Sequence, residues 1–308
     1  MSAFWADFLA ATLRVSTPIG LAALGILILE QAGLFGLGME GVMLGGAFSS
    51  MMGATWTSSA WGGVMAGIAG GLTIGLLYGS LAIFARANQI LVSVALNLTF
   101  LGLTSFLQRV VFEGSDAGFR VEALRAWALP WLRDLPILGS SLFTQPPLTY
   151  AWFLLAGVML LVLHHTAWGL ILRATGESPR SVDVVGGSVR RTQLLACALF
   201  GILGGLAGSA LVLQQVRTFT DNITAGRGFI ALVSVIFGRW DPVFSTGAAL
   251  LFGGAEALQS RMQLWTLPIS SYFVLMIPYV LALLALLGLG SQAQYPSSIG
   301  QPYDREAR

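Results

Sequence analysis

The sequence has no lysine and few charged residues of any kind. Its 16 basic residues are all arginine, and charged residues make up 10% of the 308 positions, against about a quarter in soluble domains. The formal net charge of +2 is too small to indicate nucleic acid or another polyanion as a partner. A Walker A motif requires a lysine, so this chain does not contain one.

Cysteine and histidine are almost as scarce. The single cysteine, Cys197, excludes a disulfide within the chain, and its apolar surroundings predict a small buried thiol. The two histidines, His164 and His165, are adjacent, so on a helix they point in different directions and do not form a metal pair. No nucleophilic side chain is spaced from a base and an orienting acid as a catalytic site would require. The chain is therefore predicted not to be an enzyme and to need no cofactor of its own.

Apolar residues and glycine dominate what is present. Hydrophobic residues reach 56%, the mean hydropathy is +0.78, and 38 residues are glycine. Glycines at small-xxx-small spacing in segments 61–84 and 194–213 predict close packing of the two helices. Apolar segments of about 20 residues recur along the chain. They predict an all-α, polytopic membrane protein with one transmembrane domain over residues 1–308, eight or nine spans and one or two discontinuous helices. The predicted segments are 18–34, 38–56, 61–84, 90–107, 150–172, 194–213, 226–237, 244–258 and 269–289.

The arginines predict the orientation of these segments. Arg86 and the four arginines of residues 173–191 place both links in the cytoplasm. Residues 109–148 are then an extracytoplasmic loop, and residues 291–308 are a polar cytoplasmic tail without fixed structure. Residues 3–13 are predicted to form a separate amphipathic segment at the membrane interface. Nine full crossings put the N-terminus outside, unless the first two segments are parts of one broken helix.

The cytoplasmic loop of residues 173–191 contains signals for a short helix. Ser178 is placed as the N-cap, Pro179 as the first helical residue and Gly186 as part of the C-cap. The helix is predicted to end at Val185, with Val182 on the same face. A short capped helix held out from a membrane suits docking onto a soluble partner.

Two glycine-rich passages interrupt the apolar sequence. Glu30 and Glu40 flank the first, which is either a discontinuous helix beside a solute path or a plain cytoplasmic turn with its acids in water. In the second, Asn222 or Thr224 is predicted to cap the following helix, with Arg227 in its first turn.

A solute path is predicted between these passages. Asn97, in the middle of the fourth span, is either an interhelical hydrogen-bonding group or a lining group. Glu40 and Arg227 are predicted to pair across the path. The candidate path residues are Gly36, Gly38, Glu40, Asn97, Asn222, Gly226, Arg227 and Gly228.

Three blocks resemble one known family. The run Glu30-Gln-Ala-Gly-Leu-Phe-Gly36-Leu-Gly-Met-Glu40-Gly resembles the Glu-Arg-Ser-Gly-Val-x-Asn-x-Gly-x-Glu-Gly signature of ABC-importer permeases for nucleosides and simple sugars. The run Arg173-Ala-Thr-Gly-Glu-Ser-Pro179 is similar to the cytoplasmic loop of these permeases, and residues 224–242 are similar to a third block. Two positions depart from the family, Gly36 where it has asparagine and Ser181-Val182 where it has Ala-Ala.

The resemblance, closest to the nucleoside permeases, implies a permease subunit in a bacterial cytoplasmic membrane. A separate ATPase would use the ATP, a second permease subunit (a different chain is favoured) would complete the path, and an extracytoplasmic binding protein would deliver a nucleoside or simple sugar. The residues implied in ATPase coupling are Arg173, Gly176, Glu177, Pro179, Asp183 and Gly186.

A stand-alone secondary transporter or channel for a small polar solute is the alternative. That class usually has a titratable relay within its spans. Here the candidates are only Glu30, Glu40 and Glu256. This alternative also leaves the cytoplasmic loop helix without a role.

Overall fold

A computed structural model describes residues 2–112, 121–128, 141–263 and 295–304, with isolated positions between 276 and 284. The regular secondary structure of the described part is helical apart from one antiparallel pair of two-residue strands, β1 (Trp127–Ala128) and β2 (Thr144–Gln145), which confirms the all-α prediction. The helices are α1 (Ser2–Gln31), α2 (Met39–Thr57), α3 (Ala60–Gly79), α4 (Gln89–Phe112), α5 (Pro147–His165), α6 (Ala167–Glu177), α7 (Pro179–Val184), α8 (Val189–Ala210), α9 (Arg227–Phe237) and α10 (Pro242–Met262). α3 and α8 continue as π-helical turns over Ser80–Phe84 and Leu211–Val216.

α1 is a single long helix that packs against α5, α8, α9 and α10. The prediction of a separate interfacial segment over residues 3–13 is therefore wrong. Pro18 does not break the helix, although it has no N–H to offer the carbonyl of Arg14. The side-chain amide of Gln215 donates to that carbonyl instead, at 2.9 Å.

The hydroxyl groups inside α1 are satisfied by the helix itself. Thr12, Ser16 and Thr17 each donate to the carbonyl four residues earlier, at 2.9, 2.7 and 2.8 Å. Thr17 also lies 2.9 Å from the hydroxyl of Thr149 in α5. α1 thus presents a nearly apolar surface to the core, which forms around it.

Glycines allow the backbones of α3 and α8 to pack in direct contact. A methyl group on Gly71 would lie 2.3 Å from the carbonyl oxygen of Gly201, and one on Gly205 would lie 2.2 Å from that of Gly67. No side chain fits at such distances, so the predicted packing role of these glycines is confirmed. Cys197 is buried in α8, as predicted.

The bundle has two ends, which we call the loop face and the far face. The loop face carries residues 177–188, and the far face carries β1 and β2. α1 begins at the far face, where the Arg261 guanidinium lies 6.0 Å from the Phe8 ring centre. It ends at the loop face, where the Gln31 side chain donates to the carbonyl of Trp240. An odd number of crossings would give this arrangement.

Five helices in the described residues are long and apolar enough to cross a bilayer: Trp5–Gln31, Ala60–Phe84, Gln89–Val111, Pro147–His165 and Val189–Val216. α9, with 11 residues, is about 16 Å long and too short for a hydrocarbon core of about 30 Å. It is therefore a half-length helix. The ninth predicted segment, 269–289, lies almost entirely outside the described residues, so the count of eight or nine spans stays a prediction.

Two connecting segments pack onto the bundle ends. Within the predicted loop of residues 109–148, the described part lies over the far face, where Val121 and Leu124 donate backbone hydrogen bonds to Arg217 and Leu213. At the opposite end, residues 295–304 are folded onto the loop face. The prediction that the tail lacks fixed structure is wrong for these residues, because serine, tyrosine and aspartate side chains attach them to three segments of the loop face.

Candidate functional site

α9 begins inside the bundle, and a side chain from α2 caps it. The buried carboxylate of Glu40 accepts hydrogen bonds from the backbone N–H groups of Gly226 and Gly228, at 2.8 and 2.7 Å, and from the Thr224 hydroxyl, at 2.5 Å. A carboxylate at this place satisfies otherwise unpaired donors and lies at the positive end of the helix dipole. The predicted capping by Asn222 or Thr224 is wrong, because Gly226 occupies the N-cap position and the cap comes from another helix.

Glycine is required where α2 meets α9. A methyl group on Gly228 would lie 2.6 Å from Glu40 Oε2 and 2.7 Å from the Glu40 backbone nitrogen. Gly226 has φ = 82°, in the left-handed region that favours glycine. These two glycines let the Glu40 carboxylate reach the backbone of α9 directly.

Arg227 pairs with Glu256 of α10 and not with Glu40, so the predicted Glu40–Arg227 pair is wrong. The Arg227 guanidinium also lies 3.2 Å from the carbonyl of Ile223. Glu40 is unsuited to the pairing because three other donors already occupy its oxygens. Sequence reasoning named Glu256 only as a relay candidate, since no spacing signal joins residues on two different helices.

Asn97 joins α4 to the start of α2. Its Oδ1 accepts from the backbone N–H of Gly41 at 2.8 Å, and its Nδ2 donates to the carbonyl of Leu37 at 3.0 Å. The interpretation as an interhelical hydrogen-bonding group is confirmed. Gly38 packs beside it, and a methyl group on Gly38 would lie 3.6 Å from Ser93.

The first glycine-rich passage is a tight turn with buried acids. Glu30, only 1% exposed, accepts from the backbone N–H of Gly36 at 3.2 Å and from the indole of Trp240 at 2.6 Å. Gly33, at φ = 82°, packs against Gly176 at the loop face. The passage is thus a turn at one end of the bundle, but its acids are not in water. The contact with Trp240 escaped sequence reasoning because it joins residues 210 positions apart.

The segment before α9 exposes polar groups. Thr220, Asp221 and Asn222 are exposed, and the backbone from 217 to 226 is non-helical. Non-helical backbone at membrane depth persists only against protein or a water-filled cavity. Of the predicted path residues, Asn222 is exposed, Asn97, Gly226 and Arg227 are half-buried, and the other four (Gly36, Gly38, Glu40 and Gly228) are buried.

α7 has the predicted capping residues at both ends. Ser178 is the N-cap, Pro179 is the first helical residue and Gly186 has φ = 85°. The helix ends at Val184, so Val185 leaves the helical spacing. Val182 is buried, whereas Val185 is 83% exposed, and the prediction that they share a face is wrong.

The remaining predicted coupling residues lie around α7. Gly176 is buried, and a methyl group there would lie 2.4 Å from the carbonyl oxygen of Gln31. Glu177 accepts from the Ser297 hydroxyl at 2.8 Å, and Asp183 accepts from Tyr303 at 3.1 Å. Both carboxylates therefore bind the tail. Arg173 is half-buried.

A comparison with known protein families identifies the family of this chain. The family model for "Branched-chain amino acid transport system / permease component" matches residues 8–286. The chain belongs to this family. It is a multi-pass membrane protein and the permease subunit of an ABC importer, a transport component that is not itself an enzyme. Membership implies an ATPase partner and a solute-binding protein.

Relatives align over nearly the whole permease. It is 33% identical to the guanosine ABC transporter permease protein NupQ of Bacillus subtilis, over 97% of this chain and 96% of that one. It is 32% identical to the nucleoside ABC transporter permease protein NupC of Lactococcus lactis, over 94% and 93%. A second permease of that Lactococcus strain, NupB, is 25% identical over 78% and 69%.

A solved ABC transporter structure in an inward-facing conformation shares the fold of the permease. The TM-score is 0.54 over 91% of this chain and 84% of that one, at 14% sequence identity. At this identity the similarity concerns the fold alone.

Proposed function

We propose that this permease carries nucleosides across a bacterial inner membrane, with its loop face in the cytoplasm. The observation that supports this most is the match to the guanosine and nucleoside permeases NupQ and NupC over almost the full chain. The low content of polar residues in the spans also favours a solute with fewer hydroxyl groups than a free sugar. The chain itself would need no cofactor, since the partner ATPase uses the ATP.

The solute path in this proposal runs along the exposed face of residues 220–229. Asn222 offers an amide there, and Phe229 is an exposed aromatic side chain suited to stacking with a base. A single chain leaves this face open, so a second permease subunit would close the path. We favour a different chain as that subunit, because Lactococcus lactis has both NupB and NupC.

The test is transport by the complete importer. The permease would be purified with its ATPase, second permease subunit and binding protein and placed in proteoliposomes. We expect ATP-dependent uptake of radiolabelled guanosine, with little uptake of glucose or ribose. Uptake of the sugars alone would refute the nucleoside assignment, and uptake that persists without the ATPase would refute the ATP-driven mechanism.

The same proposal makes α7 and Val185 the contact with the ATPase. Val184 and Val185 are 82% and 83% exposed and form an apolar tip. Changing both to aspartate would bring two charges into that contact, so we expect the ATPase that co-purifies to fall about tenfold or more. The matched control is Ala126→Asp, an exposed residue of the far-face loop outside the candidate spans. Unchanged co-purification of the double variant would remove α7 from the interface.

A further inference from the structure

The tail contacts several separate parts of the loop face. We propose that residues 295–304, which we call the brace, position α7 so that the ATPase can drive the bundle through it. Ser298, Tyr303 and Asp304 are then positioning residues for energy coupling. This inference rests on the proposed function, because it takes α7 to be the contact with the ATPase.

The base of the brace is inserted between α1 and α6. The backbone N–H of Ser298 donates to the carbonyl of Gly176 at 2.9 Å, and the Ser298 hydroxyl lies 2.5 Å from the same oxygen. That hydroxyl lies 2.5 Å from the place where a methyl group on Gly33 would be. The fit holds the brace against the ends of two helices of the bundle.

A cavity beside this base lies between the brace and the hydrogen-bonded pair Glu30 and Trp240. The cavity has a volume of about 310 Å³ and is lined by Glu30, Trp240, Tyr295 and Ile299, among others. Glu30 and Trp240 are hydrogen-bonded to each other, and Trp240 lies between α9 and α10. The base of the brace therefore lies next to the half-length helix α9 as well as to α1.

The other end of the brace holds two cytoplasmic-loop segments. The Tyr303 hydroxyl donates to the carboxylate of Asp183 in α7 at 3.1 Å. The Asp304 carboxylate pairs with Arg86, in the link between α3 and α4, at 2.5 Å. Adjacent residues of the brace thus join α7 to a second, separate part of the bundle.

α7 needs such support because its own packing is slight. It has six residues, and Val182 is its one buried side chain. The hydrogen bond from Tyr303 to Asp183 attaches α7 to a residue 120 positions away. The hydrogen bond from Ser297 to Glu177 does the same for the end of α6, which directly precedes α7. A contact can transmit force only if it moves together with the bundle that it drives. Coupling also requires that the ATPase site and the solute site bias the same two conformational states of the permease. The brace supplies this mechanical link.

The decisive variant is Tyr303→Phe, which removes one hydroxyl and keeps the ring. We expect ATP hydrolysis to continue while the solute transported per ATP falls about fivefold, because losing one hydrogen bond to a charged group shifts an equilibrium by roughly this factor or more. The amount of purified complex should not change. Gln301→Ala is the matched control, an exposed residue of the same segment, and should keep the wild-type ratio.

A charge exchange at the neighbouring pair provides a second, independent test. Arg86→Asp and Asp304→Arg should each lower the solute transported per ATP, and the combination should restore part of it. If Tyr303→Phe lowers the yield of complex, the Arg86 and Asp304 variants decide alone. Recovery of transport per ATP in the combined variant supports the brace proposal, and no recovery overturns the proposal.

The two proposals fail in different ways. If the aspartate variants of Val184 and Val185 leave ATPase association unchanged, the assignment of α7 is wrong and the brace loses its role with it. If those variants disrupt association while Tyr303→Phe and both single charge changes keep the wild-type transport per ATP, the assignment of α7 as the ATPase contact is supported. The brace proposal is then overturned.

Discussion

Replacing Glu40 with alanine is expected to abolish transport. The buried carboxylate satisfies two backbone N–H groups and one hydroxyl at the start of α9. Leaving such a donor unpaired costs about 1–3 kcal/mol each, and α9 would lose its attachment to α2. We expect uptake to fall at least about a hundredfold, with a lower Tm of the detergent-purified complex.

Graded variants separate the cap from a general effect of charge. Thr224→Val removes one of the three donors and should be the mildest change. Glu40→Gln keeps one accepting oxygen but turns an NH₂ group toward another donor, so it should fall between Thr224→Val and Glu40→Ala. The control is Glu122→Ala, at an exposed carboxylate in the far-face loop. Wild-type uptake and Tm for Glu40→Ala would contradict the cap.

Charge exchange should rescue Arg227 with Glu256 and not with Glu40. Arg227→Glu and Glu256→Arg each place like charges together in a site where the side chains are 19% and 18% exposed. Breaking a fully buried pair costs about 3–5 kcal/mol. This pair is half-buried, so the cost is smaller, and we expect each single variant to lose most of its uptake. The double exchange should recover part of it.

The informative comparison is the second exchange, Glu40→Arg with Arg227→Glu. It should recover nothing, because it destroys the cap of α9 without re-forming an ion pair. Exchange of the exposed pair Glu122 and Arg125, which lie 3.6 Å apart, serves as the control and should have little effect. Recovery by the exchange that includes Glu40 would restore the pairing predicted from sequence and contradict the observed geometry.

Features set by neighbouring residues could be predicted, and those set by distant residues could not. The ends of α7 follow from Ser178, Pro179 and Gly186, which act within nine consecutive residues, so the sequence alone predicts them. The glycine spacing of α3 and α8 likewise predicts their close packing. By contrast, Glu40 caps a helix 186 residues away, and nothing near either residue signals the contact.

The errors share a second cause, which is that local rules were applied where a distant group intervenes. Pro18 normally ends a helix, but Gln215 satisfies the carbonyl that it leaves free. The polar tail has a composition typical of disorder, yet Tyr303 and Asp304 attach it to the loop face. The family resemblance identified the permease function, but it did not reveal which groups hold α7 and α9 in place.

The self-satisfied hydroxyls of α1 have a consequence for biosynthesis. α1 is made before the other described helices, and α10, which packs along it, starts about 210 residues later; at roughly 5–20 residues per second this delay is roughly 10–40 s. During that time α1 faces lipid on sides that later become the core. Because Thr12, Ser16 and Thr17 donate to their own helix, they place no unpaired donor in the hydrocarbon. These hydroxyl groups of α1 therefore need no partner from a neighbouring helix while the later helices are still being inserted.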